Sequence, residues 1–226
     1  QEKYSKFALI REMMQTPDIL RNFKLNNADQ VVKAIQSAGK LFFTGEGSSR
    51  IFPAKNAMYN ARRAGSKLNL ATDGALQACC YDLSDFVIFG ASNSGQTKEV
   101  IRLFDKLNQV NHKNLFALTA NKNTKLESLA KQAFILSCEK EQAVAATKSV
   151  AEQALFYQAL LAAVDAKSYD KKLPMLADAF NTALTMQIDP KITSAVANAG
   201  TIYFAGKNDG VAEELTLKTN EITRKK

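Results

Sequence analysis

Five short apolar runs, separated by stretches of helical spacing, constrain this chain more than any other feature of it. They are "KLFFTG" (40–45), "SKLNLAT" (66–72), "DFVIFGA" (85–91), "NLFALTA" (114–120) and "AFILSC" (133–138). Helical patterns fall between them at about 48–64, 95–109 and 124–131, with a short one near 74–80. Runs this short and this continuously apolar suit strands buried on both faces, and helices between successive strands impose right-handed crossovers. The expectation is an α/β fold: a five-stranded parallel, doubly wound, flavodoxin-like sheet of order 2-1-3-4-5, flanked by helices. A long helix, "ATKSVAEQALFYQALLAAVDA" (146–166), closes it.

The flanks read differently. "KFALIREMMQ" has helical spacing, and Thr16-Pro17-Asp18 is expected to stop it and start another, with Thr16 as N-cap and Pro17 at the first helical position. "ADQVVKAIQSA" is a third helix. After the polar joint "KSYDKK" come helices at about 171–187 and 190–199, a strand "GTIYFAG" (200–206), a turn "KNDG" and a helix from Val211 onward. One strand cannot form a sheet, so the sequence reads as cut short at "ITRKK", inside a second α/β unit.

Composition narrows the class. The 226 residues are 46% apolar, enough for a sizeable core, and no apolar run approaches a membrane span. The start "QEKYSKFALIREMMQ" has no signal-peptide h-region, and the protein is expected to be cytoplasmic, with no membrane partner. Cys79, Cys80 and Cys138, an odd number in no ligand spacing, are expected to be small buried hydrophobes. A single histidine, His112, is too few for a zinc site and is expected in an exposed loop, so neither a metal nor another cofactor is called for. The net charge of +8 favours anionic partners, but Trp is absent and basic and aromatic residues do not interleave, which argues against nucleic acid.

Two strand-to-helix loops carry the chemistry. "TGEGSSR" follows the first strand and "ASNSGQT" the third. In an order 2-1-3-4-5 sheet those strands are neighbours with crossovers in opposite directions, so both loops flank the crevice where such sheets bind ligands. The second loop offers the hydroxyls of Ser92, Ser94 and Thr97 around Gly95 at a helix start, without lysine or arginine. That combination suits a phosphate held by neutral donors. GxxxxGK[ST] is absent, and "GEGSSR" lacks the third glycine of GxGxxG.

"GEGSSR", "SNSGQTKEV", "EQAVAATKS" and "LKTNEI", in this order and spacing, resemble the sugar isomerase (SIS) domain family. The resemblance is strongest to the isomerase half of glutamine–fructose-6-phosphate aminotransferase and to fructosamine and amino-sugar phosphate deglycases and isomerases. "REMMQTPDIL" resembles the first helix of that half. The resemblance implies a first SIS domain over 31–166, after amino-terminal helices at 1–30, with connecting helices and the start of a second SIS subdomain over 167–226. It puts Gly47, Ser48, Ser49, Ser92, Asn93, Ser94, Gly95, Gln96 and Thr97 at the sugar-phosphate cradle, and the backbone of Val144 near the sugar. Glu221 falls on the glutamate that moves a proton between C1 and C2, and Lys218 on the lysine that assists at the sugar oxygen. It also implies a homodimer.

The residues themselves agree with those two roles. Lys218 and Glu221 are three apart and share a helix face, and a carboxylate base beside an ammonium is what an enediol or enamine requires. Glu214, Lys218 and Glu221 are equally readable as a surface ion-pair ladder. The sequence departs from the family at Ala146, where a serine touches the sugar, and at Glu46, expected to put a negative charge near the phosphate that Arg50 offsets. The family's ring-opening histidine lies beyond the glutamate, outside this sequence, and the glutaminase domain is absent from it, so glutamine is not the expected nitrogen donor. Two functions follow: an enzyme that isomerises, deaminates or deglycates a hexose or amino-hexose 6-phosphate, or a sugar-phosphate-binding regulatory module without catalysis.

Overall fold

Alternate residues of each strand divide between two apolar cores, one on each face of a single sheet. A computed structural model of the chain describes residues 4–223; the first three residues of "QEKYSKFALIREMMQ" and the last three of "ITRKK" lie outside the described residues. The strands are β1 (Lys40–Gly45), β2 (Asn69–Gly74), β3 (Val87–Ala91), β4 (Leu115–Thr119) and β5 (Gln132–Ile135), in the expected order β2-β1-β3-β4-β5. Every neighbouring pair is parallel.

Leu41, Phe43, Val87, Phe89 and Phe116 face a core shared with α1 (Ala8–Arg21), α2 (Asp29–Ala38), α3 (Ile51–Arg63) and α7 (Lys148–Val164). Phe42, Ile88, Leu115 and Ala117 face the other core, covered by α4 (Ala75–Ala78), α5 (Lys98–Gln109) and α6 (Lys125–Leu129). This two-sided burial is why the runs are continuously apolar instead of alternating. At the centre Phe89 meets the rings of Phe116, Phe134, Phe156 and Tyr157 at centroid separations of 6.0, 5.8, 5.7 and 5.6 Å. Burying each such ring contributes about 1.5–3 kcal/mol.

Three expectations need correction. The break at Thr16-Pro17-Asp18 does not occur, since α1 continues through Pro17 to Arg21. An interior proline costs about 3 kcal/mol. Here α1 buries Thr16, Pro17 and Leu20 and packs along α7 and α8 (Leu173–Thr185), which offsets that cost. The strand expected at 200–206 does not form either. Ile202 and Phe204 are half-buried between exposed neighbours, a strand-like period, but the segment pairs with no described strand. It lies between α9 (Pro190–Asn198), which buries none of its residues, and α10 (Val211–Thr223). Nor are all the cysteines buried: Cys138 is, Cys79 is half-buried and Cys80 is exposed in the turn after α4.

His112 departs from expectation as well. It is half-buried, with Asn114 N–H donating to Nδ1 at 3.3 Å and Nε2 lying 3.1 Å from the Leu83 carbonyl. An accepting Nδ1 makes Nε2 the donor, so the imidazole pins two loops together. β5 ends three residues early because Ser137 N–H and Cys138 N–H turn to the Glu152 carboxylate of α7, both at 2.8 Å. No helix among the described residues is long and apolar enough to cross a membrane.

Gly90 sits in β3 where an added Cβ would meet the Phe104 ring at 2.4 Å and Val100 at 3.2 Å. Gly90→Ala overpacks this core and is expected to lower stability by about 1–3 kcal/mol. Urea denaturation followed by circular dichroism measures it as a lower midpoint.

Candidate functional site

The site is built where β1 and β3 end. From β1 the chain turns into α3 on one face of the sheet, and from β3 into α5 on the other, so the two helix starts flank one crevice. Gly45 lets the tips touch: a Cβ there would lie 2.9 Å from the Ala91 carbonyl and 3.0 Å from the Ser49 carbonyl. Loop 46–50 then makes a tight 3₁₀ turn over Gly47–Ser49, with Gly47 at φ +52°. Gln153 of α7 donates its amide to the Ser49 carbonyl at 2.5 Å, which fixes the turn from below.

The hydroxyl loop has an ordered interior and an open rim. Ser92 is buried, and its Oγ shares a hydrogen bond with Thr97 Oγ1 at 2.7 Å and lies 3.5 Å from Ser94 Oγ. The N–H of Gln96 donates to Ser94 Oγ at 3.2 Å, and that of Thr97 to Ser92 Oγ at 3.4 Å. Ser94 and Gln96 face solvent. Gly95, at φ +65°, packs on Thr124, whose side chain an added Cβ would meet at 2.3 Å. No side chain caps α5 at Thr97, so its first turn keeps N–H donors and a partial positive charge for an anion.

Asn93 does something the sequence did not suggest. Its amide donates to Glu141 Oε2 at 3.0 Å and Ser149 Oγ at 2.9 Å, and its carbonyl accepts from Asn121 Nδ2 at 2.8 Å. Asn93 is therefore a strut between loops. Glu141 also accepts from Thr147 N–H at 2.7 Å and Thr147 Oγ1 at 2.9 Å, and from the Ser149 hydroxyl. On the other side, the buried Glu12 of α1 accepts from the N–H groups of Gln142 and Ala143 at 2.5 and 3.1 Å. Between these anchors Val144 is 96% exposed at the crest of its loop.

The carboxyl-terminal helix comes to the same place. Gly210, at φ +86°, sits so close to α3 that a Cβ would lie 2.6 Å from the Ile51 carbonyl. Lys55 of α3 pairs with Glu213, and this hydrogen bond holds the Glu213 carboxyl below its ordinary value. Further along α10, Lys218 Nζ donates to Ser48 Oγ at 2.6 Å and to Glu221 Oε2 at 3.0 Å, and lies 3.4 Å from Glu214 Oε1. The ladder of Glu214, Lys218 and Glu221 exists, with Glu221 exposed and the other two members sunk against the protein. The Lys218 and Glu214 side chains are 18% and 11% exposed, and the ammonium is held on the first serine loop.

Glu46 does not face the cradle as expected. Its carboxylate accepts from Ala75 N–H at 2.9 Å, at the start of α4 beyond β2, because that helix has no other side-chain cap. Arg50 has a buried Nε without an acceptor and forms no ion pair among the described residues. It contributes to holding Asp73 below the ordinary carboxyl range, after the larger effect of the Tyr81 hydroxyl. Among the described residues no group of three or more His, Cys, Asp or Glu is arranged to hold a metal. A cleft of about 610 Å³ lies away from these loops, between the ends of α3 and α7, and is lined by Arg63, Gln158, Tyr169 and Lys172 among others.

Residues 34–163 match the SIS domain family. The chain belongs to that family. The curated proteins contain no match to its sequence. Among solved structures, it is similar to the C-terminal domain of glucosamine-fructose-6-phosphate aminotransferase from Francisella tularensis, at TM-score 0.77 and 16% identity, covering 99% of this chain and 69% of that one. It is similar to glucosamine-6-phosphate deaminase from Thermotoga maritima, at TM-score 0.73 and 19% identity, covering 97% and 68%. At these identities the shared property is the fold, and this SIS chain has it.

Sequence reasoning missed Glu141, Asn121, Thr124 and Gln153. Glu141 opens the motif "EQAVAATKS", and Thr147 and Ser149 within it were the available signal. The docking of α10 is testable through Gly210. Gly210→Ala combines a left-handed backbone with a clash on main chain, and should lower the opening free energy of 211–223 by about 1–3 kcal/mol. Hydrogen exchange should quicken there while the sheet stays protected.

Proposed function

We propose that the protein is an enzyme that moves a proton between C1 and C2 of a phosphorylated hexose or amino-hexose. The observation that carries this reading is the Lys218 ammonium, held 2.6 Å from Ser48 Oγ and 3.0 Å from Glu221 Oε2. It puts an ammonium and a carboxylate beside the first of the two loops that this reading takes as an anion cradle.

In this reading the phosphate lies on Ser92, Ser94, Thr97 and the start of α5, with Gly95 and Gln96 offering backbone, and Ser49 closes the other side. The Glu221 carboxylate takes the proton from C2 of the open-chain sugar as the electron pair moves into a C1–C2 double bond. Charge develops on the sugar oxygen beside the Lys218 ammonium, which stabilises the enediolate or enamine. Return of the proton from Glu221 to C1, with the C2 hydroxyl proton passing to the C1 oxygen, completes a redox-neutral transfer. With an amino group at C1 or C2 the same proton shift leaves an imine at that carbon, and water hydrolyses it to a carbonyl and the free amine, which is deglycation or deamination. The solved relatives support the substrate class, since they include a domain of a glucosamine-fructose-6-phosphate aminotransferase and a deaminase of glucosamine 6-phosphate. The reading extends to a cytoplasmic homodimer.

A second reading, a regulatory module that binds a sugar phosphate without turning it over, is favoured by Ala146, which offers no hydroxyl to a sugar. Glu221→Gln separates the two. In an enzyme it should slow proton exchange at C1 and C2, followed by NMR, by about 10²–10⁴-fold with sugar-phosphate affinity retained. No exchange by the parent protein with any of a panel of hexose and amino-hexose 6-phosphates would favour the module.

A further inference from the structure

We infer that Glu141 is a positioning residue that makes the phosphate loop and the loop carrying Val144 a single binding element. The inference rests on the reading above, that Ser92, Ser94 and Thr97 receive a phosphate.

The geometry leaves little freedom. Oε2 receives Asn93 Nδ2 at 3.0 Å and the Ser149 hydroxyl, while Oε1 receives Thr147 N–H at 2.7 Å and Thr147 Oγ1 at 2.9 Å. Ser149 also accepts from Asn93 at 2.9 Å, which closes a triangle between the residue flanked by the two cradle serines and the first turn of α7. The described residues give Glu141 no ion-pair partner. Its charge is accommodated by neutral donors and by the start of the 17-residue α7, whose N-cap Thr147 spends its hydroxyl on Glu141 instead of on the helix. Movement of residues 142–147 is thus felt at Asn93, and ordering of 92–97 around an anion is felt at Thr147.

Only a carboxylate does this. An amide in its place would aim its NH₂ at Asn93 Nδ2 and Ser149, or at Thr147 N–H, so donors would face donors on one side whichever way it turned. Electrostatics alone predicts the opposite effect, because removing a negative charge near an anion cradle should tighten binding. The sign of the change therefore discriminates.

The experiment uses the full chain, with inorganic phosphate and glucosamine 6-phosphate as probes, calorimetry for affinity, and hydrogen exchange over 92–97 and 142–147. The parent protein should gain protection in both loops together. Glu141→Gln should bind about tenfold more weakly and, at saturation, protect 92–97 without 142–147. Equal or tighter binding with both loops still protected together overturns the inference. Glu152→Gln is the control for lost stability: that carboxylate holds Ser137 and Cys138 but touches no cradle residue, so it should melt earlier with affinity unchanged. If Glu141→Gln does not fold, Ser149→Ala removes only the bridging hydroxyl and should weaken phosphate in the same direction; unchanged affinity overturns the inference. If the parent binds neither probe, the proposed function fails, and the coupling is read without ligand: Asn93→Ala must quicken exchange at 142–147, and unchanged exchange rejects it.

Discussion

Two carbonyls, those of Ala91 and Ser49, converge on the α-carbon of Gly45, and the space between them admits no side chain. Any larger residue would push the tip of β1 from that of β3 or unwind the Gly47–Ser49 turn. The crevice is a consequence of that contact. Because β1 and β3 are hydrogen-bonded neighbours, their tips are level, and their crossovers diverge to opposite faces of the sheet, the arrangement at which such sheets bind ligands. Ser48 and Ser49 follow one tip and the hydroxyls of 92–97 the other, and the two loops turn on left-handed glycines, Gly47 and Gly95.

Glutamates anchor several loops at this end of the sheet. Glu12, Glu46, Glu141 and Glu152 each receive backbone N–H groups from a loop or helix start, and none of them forms an ion pair among the described residues. A carboxylate that accepts several N–H bonds is well solvated by the protein and fixes loop backbone more firmly than a hydroxyl would. The same use of charge keeps these negative groups directed into the loops, away from a ligand. What these loops offer is therefore neutral hydroxyls and N–H groups at a helix start, with the Lys218 ammonium on Ser48 and the Glu221 carboxylate paired to it. The net charge of +8 belongs mostly to surface lysines and says little about this site.

The sheet was legible because burial on both faces writes itself into composition: "FVIFGA" has few other places to go. The two loops were legible because strand order places them together once the sheet is granted. What failed had local signals overruled by tertiary ones. Thr16-Pro17-Asp18 carries a strong helix-start signature, yet α1 needs its whole length to lie along α7 and α8. Ile202 and Phe204 have a strand's period, but a strand exists only beside a partner. The partners of Glu46 and Glu141 were hidden for another reason. Which N–H group a flexible carboxylate finds depends on loop backbone, and neither hydrophobic period nor spacing encodes it.

The Lys218–Glu221 pair shows how one spacing can serve two ends. Residues at i, i+4 and i+7 line one helix face, and Glu214, Lys218 and Glu221 would look the same on a solvated helix and in a catalytic cleft. What distinguishes them lies outside the triplet. Gly210 permits main-chain contact with Ile51, and Lys55 then holds Glu213, so α10 lies across the start of α3 with its Lys218 side on Ser48. The orientation of that face is set one turn before the first member of the ladder. A chain with the same three charges but a bulkier residue at 210 would keep the ion pairs and lose the serine contact, because the pairs are internal to the helix and the contact depends on where the helix is docked.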